Sequence, residues 1–144
     1  MKPLPILLVL ILVSSCHSQD EQPINDSIFG VWQLVGRYDG GSAQPYQALE
    51  NGYMITFKTD STLITEEPTL GCSVDQVDGS FQTRKVEKGA ELTMQLNCED
   101  KELSLVFYYG IDAEGYLVTS PKESSCDEGC YSKFKRISTP KASD

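Results

Sequence analysis

The chain has 144 residues, 12 basic against 21 acidic side chains and a net charge of −9. That balance excludes nucleic-acid backbones and anionic membrane surfaces as electrostatic partners, because neither gains from approaching negative charge. The length allows one domain with a modest core, and no internal repeat suggests a second.

In chain order, the first feature is MKPLPILLVLILVSSC. Lys2 supplies a positive start, and Leu4 to Val13 form an apolar run of about ten residues, too short to span a bilayer but of signal-peptide size. The run closes on Val13-Ser14-Ser15-Cys16, which resembles the bacterial lipobox. The resemblance implies cleavage before Cys16, lipidation of its thiol with a diacylglyceryl group, and acylation (palmitate or a similar chain) of the new amino terminus. Residues 1–15 are thus read as a lipoprotein signal peptide, and the mature chain carries a net charge of −10 once Lys2 is removed. Residues 16–27 are polar around Pro23 and read as a flexible tether, which at roughly 5–6 Å × √n holds the domain some 15–20 Å from its anchor. Asp20-Glu21 resembles the short export signals of Bacteroidetes-type lipoproteins, and His17 replaces the Asp that favours inner-membrane retention in enterobacteria. The expected location is the outer membrane, on either face.

From Gly30 the apolar pattern has period two. Expected strands are Gly30–Asp39, Tyr53–Lys58, Ser61–Glu66, Ser80–Val86, Glu91–Asn97, Glu102–Asp112, Tyr116–Ser120 and Tyr131–Ile137, with turns at Asp39-Gly40-Gly41-Ser42, Thr59-Asp60, Lys88-Gly89 and Ala113-Glu114-Gly115. Ile24 to Phe29 has room for a brief helical turn across one end. Eight short antiparallel strands without a convincing helix favour closure into an up-and-down barrel, which removes both exposed edges. An open β-sandwich is the alternative. The domain is expected to span residues 28–137, followed by a disordered tail, 138–144.

The chain has five cysteines. With Cys16 given to lipid, Cys72, Cys98, Cys126 and Cys130 remain, and an exported, oxidising setting favours disulfides over zinc because the domain holds no histidine. Four cysteines permit three pairings. A turn at Lys88 places Cys98 opposite residues near Asp78, within reach of Cys72. Cys126 and Cys130 share one loop, so the expected pairs are Cys72–Cys98 and Cys126–Cys130. The chain-entropy model assigns each about 2–3 kcal/mol.

Gly30-Val31-Trp32, at the head of the first strand, resembles the G-x-W signature of lipocalins. IFGVWQLV, NGYMITF and the closing CYSKFKRI are together similar to the lipocalin-like lipoproteins of Bacteroidetes, over roughly Ile28 to Ile137. That resemblance implies that Trp32 sits at the closed end of a barrel and that Arg136 packs across its indole. It also implies that the long connection Tyr38 to Gly52 covers the open end and brings Tyr46 and Gln47 towards a ligand. The short chain implies a shallower cavity than in longer lipocalins. The Gly71-Cys72 loop with Asp78-Gly79-Ser80-Phe81 also resembles META-type domains, and the periplasmic lysozyme-inhibiting lipoproteins are a third small disulfide-linked barrel of this type.

Candidate chemistry is sparse. His17 lies beside the expected anchor, outside the domain, which removes Ser-His and Cys-His nucleophile arrangements. Glu66-Glu67 and Asp127-Glu128 are adjacent carboxylates, expected in solvated loops and pointing apart. With no Gly-rich phosphate loop or calcium loop, the chain is expected to be a non-enzyme without cofactor or metal, and a monomer. Tyr53, Phe57, Phe81, Met94, Phe107 and Tyr109 either line a cavity or fill a solid core. The expected partners are the membrane through the lipid anchor and either a small hydrophobic molecule or another envelope protein, as in an inhibitor or a structural, stress-related module. No nucleic acid is expected.

Overall fold

A computed structural model of the chain describes residues 27–41, 46–68, 72, 75–87, 89–99, 101–123 and 129–139. Cys16, the signal-peptide reading, nearly all of the tether and residues 140–144 of the tail lie outside the described residues, as do Cys126, Asp127 and Glu128.

Among the described residues, nine strands form one antiparallel sheet: β1 (Gly30–Tyr38), β2 (Tyr46–Ala48), β3 (Met54–Phe57), β4 (Thr62–Thr65), β5 (Val77–Val86), β6 (Gly89–Cys98), β7 (Lys101–Ile111), β8 (Leu117–Pro121) and β9 (Tyr131–Ser138). From β3 onward neighbours in sequence pair in space, and β1 pairs with both β3 and β9, so eight strands close into a barrel. The ninth, β2, adds to the far end of β1 on the edge that β3 occupies nearer the start. Closure satisfies the ladder groups that an open sheet leaves bare. The open sandwich is therefore excluded.

Alternation places the inward residues as the period-two pattern requires. Trp32 and Leu34 on β1, Ile55 and Phe57 on β3, and Leu63 on β4 are buried. So are Val77 and Phe81 on β5, Leu92, Met94 and Leu96 on β6, Leu117 on β8 and Phe134 on β9. The inner row of β7, from Leu103 to Ile111, is only half-buried. For Leu103 and Leu105 the reason is geometric: β8 pairs with β7 only along Phe107–Ile111, so the first half of β7 runs past its neighbour.

Two irregularities shape the open end of the barrel. On β1, Leu34 pairs with Phe134 and Gly36 with Lys133, so Val35 is an extra residue with no partner on β9. Such a bulge re-aims the strand. Beyond it the phase reverses, and Arg37, paired with Ser132, turns to the interior. Between β2 and β3 the register also slips: Leu49 N donates to Val35 O at 2.8 Å, and Leu34 N donates to Tyr53 O at 3.0 Å. The intervening turn crowds against β1, where a Cβ on Gly52 would overlap the Leu34 carbonyl oxygen.

The closed end is built from the start of the domain. Of the stretch Ile24 to Phe29, residues 24–26 lie outside the described residues, and residues 27–29 are irregular. Trp32 is fully buried, and its indole Nε1 donates to Ile28 O at 2.7 Å. The Arg136 guanidinium lies 4.1 Å from the indole centroid and donates to Phe29 O at 2.6 Å and to Ser27 O at 2.5 Å. Burial pulls the Arg136 pKa below its ordinary value. Phe29 meets Phe81 edge-on at 6.1 Å, and Phe81 meets Phe57 at 4.9 Å. Each aromatic pair adds about 0.5–1.5 kcal/mol beyond burial. The lead-in is thereby pinned as a plug.

Cys72 and Cys98 form a disulfide that ties the β4–β5 connection to the end of β6. Cys130 is also disulfide-bonded.

Candidate functional site

At the Tyr38 end of β1, away from Trp32, the barrel is open. A cavity of about 220 Å³ begins there and runs into the interior. Its floor is apolar: Ile55, Phe57, Leu92, Met94, Leu117 and Phe134. These come from β3, β6, β8 and β9, whose inward residues face the axis together. Phe107 adds a wall from β7.

Above the floor lies a polar belt, which the bulge at Val35 makes possible. Arg37, Ser132 and Thr119 are cross-strand partners on β1, β9 and β8, and all three line the cavity. Glu67, just after β4, reaches the same level and accepts a hydrogen bond from Arg37 Nη2 at 3.5 Å. The two side chains retain 33% and 16% of their exposure, so the pair is half-withdrawn from water rather than a surface ion pair. The Arg37 guanidinium carbon lies 5.8 Å from the Tyr53 ring centroid. That ring rests edge-on against Phe134 at 5.9 Å, and the Tyr53 hydroxyl interacts with Arg37 and Glu67. Burial, reinforced by the negative charge of Glu67, pushes the Tyr53 hydroxyl pKa well up, so it remains a proton donor at any neutral pH. The outermost rim is Asp39, Pro121, Cys130 and the stacked pair Tyr38–Tyr131, at 5.1 Å.

Of the residues singled out from sequence, Tyr53, Phe57, Met94 and Phe107 line this cavity. Four do not. Phe81 is spent at the closed end, between Phe29 and Phe57. Tyr109, two residues along β7 from Phe107, is half-buried against the core and lines none of the cavity. Tyr46 is exposed, with its ring folded against Gly36, because both lie on the face that the bulge turns outward. Its neighbour Gln47 is exposed on β2 and likewise lines none of the cavity. Glu67 corrects a further expectation, since it sits in the mouth rather than in a solvated loop.

Arg37, Glu67, Thr119, Ser132 and the floor residues Leu92, Leu117 and Phe134 carry no binding signal in the sequence. Leu92, Leu117 and Phe134 read simply as core. Arg37 reads as outward on an unbroken alternation, and only the bulge reverses it. Among the described residues no group of three potential ligands is placed to hold a metal.

The fold and the site together define a small closed antiparallel barrel, plugged at one end and opening at the other into an apolar cavity with a charged belt. Neither family models, nor curated proteins, nor solved structures give a significant match to the chain.

Proposed function

We propose that the protein is a lipid-anchored barrel of the bacterial cell envelope, lipocalin-like in build, that holds a small, largely apolar molecule in its interior. The cavity is the observation that carries this reading. An engineered void of about 150 Å³ lined by aliphatic and aromatic side chains binds benzene. A cavity of about 220 Å³ has room for a ring with a short substituent or a branched chain of similar size. It falls below the roughly 300–1,000 Å³ of sites for drug-sized ligands, so long polyene or steroid ligands do not fit. Support for the anchor comes from the sequence alone: the apolar run ending in Val13-Ser14-Ser15-Cys16, followed by a polar tether. His17, in place of an Asp after Cys16, supports the outer membrane as the site of anchoring, on either face.

Binding is testable with methionine methyl resonances. Met94 lines the floor, whereas Met54 is exposed on β3 and serves as an internal control. Titration with toluene should shift the Met94 methyl signal and leave that of Met54 in place. An unmoved Met94 signal at saturating toluene would contradict a binding cavity. For the anchor, Cys16→Ala should abolish incorporation of labelled palmitate in a bacterial host; undiminished labelling would refute it.

A further inference from the structure

One wall of the cavity descends in tiers. Leu117 and Phe134 are cross-strand partners at the floor, and Thr119 and Ser132 are cross-strand partners two residues nearer the mouth. Two residues of strand advance roughly 7 Å, so the hydroxyl tier stands about one ring's height above the floor. Thr119 keeps only 8% of its exposure, and neither its hydroxyl nor that of Ser132 has a hydrogen-bond partner among the described residues. Among those residues no fully enclosed side-chain oxygen lacks a partner, so the Thr119 hydroxyl must open onto the space its side chain lines, which is the cavity. Buried hydroxyls normally find a partner, because leaving water without one is costly. Here the partner has to come from inside the barrel.

The charged groups of the mouth are engaged with one another. Arg37 donates to Glu67, the Tyr53 hydroxyl interacts with both, and the Glu67 backbone N–H donates to Thr65 Oγ1 at 3.3 Å. Arg37, Glu67 and Asp39 together carry one net negative charge, which disfavours an anion at the opening. A cation would have to compete with Arg37 and Tyr53 for Glu67 while itself leaving water. A pure hydrocarbon would cover the Thr119 hydroxyl and leave it nothing to bond, which is costly at a buried site. What the wall offers is two adjacent hydroxyls, each able to donate and to accept. A third hydroxyl placed between them accepts from one and donates to the other, a chain in which each bond strengthens the next.

We infer that the cavity takes a small neutral alcohol, its apolar ring or branched chain on the floor and its hydroxyl bonded between Thr119 and Ser132. This rests on the proposal that the cavity is a binding site, and it names the chemistry of the occupant. The Arg37, Glu67 and Tyr53 side chains keep their own contacts when the ligand is bound and serve as the neighbouring wall.

The test uses four probes of one shape: benzyl alcohol, ethylbenzene, benzylamine and benzoate, each titrated against the full-length protein with the Met94 methyl signal as readout. Benzyl alcohol should bind about tenfold or more tightly than benzylamine or benzoate. Thr119→Val keeps the branched shape and removes the hydroxyl, so it should weaken benzyl alcohol about tenfold relative to ethylbenzene, the loss expected for one hydrogen bond at a buried site. Ser132→Ala should shift the same ratio in the same direction, with the fluorescence of the single tryptophan, Trp32, reporting that each variant folds. Benzylamine or benzoate matching benzyl alcohol, or an unchanged ratio of benzyl alcohol to ethylbenzene in either folded variant, would overturn the alcohol while leaving the apolar cavity standing as a site. Failure of all four probes to move Met94 would overturn both readings.

Discussion

Removing the Arg136 guanidinium should loosen the closed end of the barrel. In the native structure it donates to two backbone carbonyls, Phe29 O at 2.6 Å and Ser27 O at 2.5 Å, and covers the Trp32 indole at 4.1 Å. Hydrogen bonds to a charged donor contribute about 1.5–3 kcal/mol each in net terms, and a partly desolvated cation–π contact about 1 kcal/mol. The low-end sum of these contributions is about 4 kcal/mol, and because the site is half-exposed solvent screening reduces it, so Arg136→Ala should cost about 3 kcal/mol. For a domain of this length that corresponds to a fall in Tm of roughly 10 °C and, in urea, a midpoint lower by roughly 2 M. Arg136→Lys keeps the charge but lacks the planar fork that reaches both carbonyls, so it should lose about half as much. Urea unfolding followed by far-UV circular dichroism avoids confusing stability with the changed surroundings of Trp32. An Arg136→Ala variant within about 0.5 kcal/mol of the native protein would refute the claim that this contact holds the plug, since that is the scatter of ordinary surface substitutions.

The Cys72–Cys98 disulfide closes a separation of 26 residues, so replacing both cysteines by serine should cost about 3.5 kcal/mol by the chain-entropy model, read as a lower thermal midpoint. On the outer face of β6, hydrogen bonds from Lys122 and then Arg84 hold the Glu91 carboxyl below its ordinary pKa. A depressed carboxylate pKa contributes stability above the unfolded value and loses it as pH falls through the folded one. Glu91→Gln should therefore flatten the acid limb of the stability–pH curve below about pH 4.5, and a limb of unchanged steepness would contradict this. A Cβ on Gly79 would overlap the Gln95 carbonyl oxygen, whereas one on Gly110 meets nothing within 4 Å. Gly79→Ala should thus destabilise by about 2 kcal/mol or more, while Gly110→Ala stays within about 1 kcal/mol in the same denaturation assay.

The strands were legible because most of them bury one face, and burial of one face writes itself as alternation. Leu92, Met94 and Leu96 on β6, and Ile55 and Phe57 on β3, are the clearest cases. β2 was illegible for the complementary reason: Tyr46, Gln47 and Ala48 are all exposed, so no face selects their residue types. The closed end was readable from Gly30-Val31-Trp32 and the late Arg136. The polar belt was not. A β-bulge leaves no compositional mark at Val35, yet it exchanges the faces of the residues after it on β1, sending Arg37 in and turning Gly36, with Tyr46 against it, out. A void is harder still to read, because Leu117 or Phe134 facing empty space has the same residue type as one facing a neighbour.

Whether the interior is empty decides whether the barrel can hold a ligand at all. Xenon enters dry apolar cavities of this size and scatters anomalously. A crystal of the protein pressurised with xenon should show an anomalous peak bounded by Ile55, Phe57, Leu92, Met94, Leu117 and Phe134. Side chains packed across that space, with no xenon peak among them, would contradict a ligand-holding barrel.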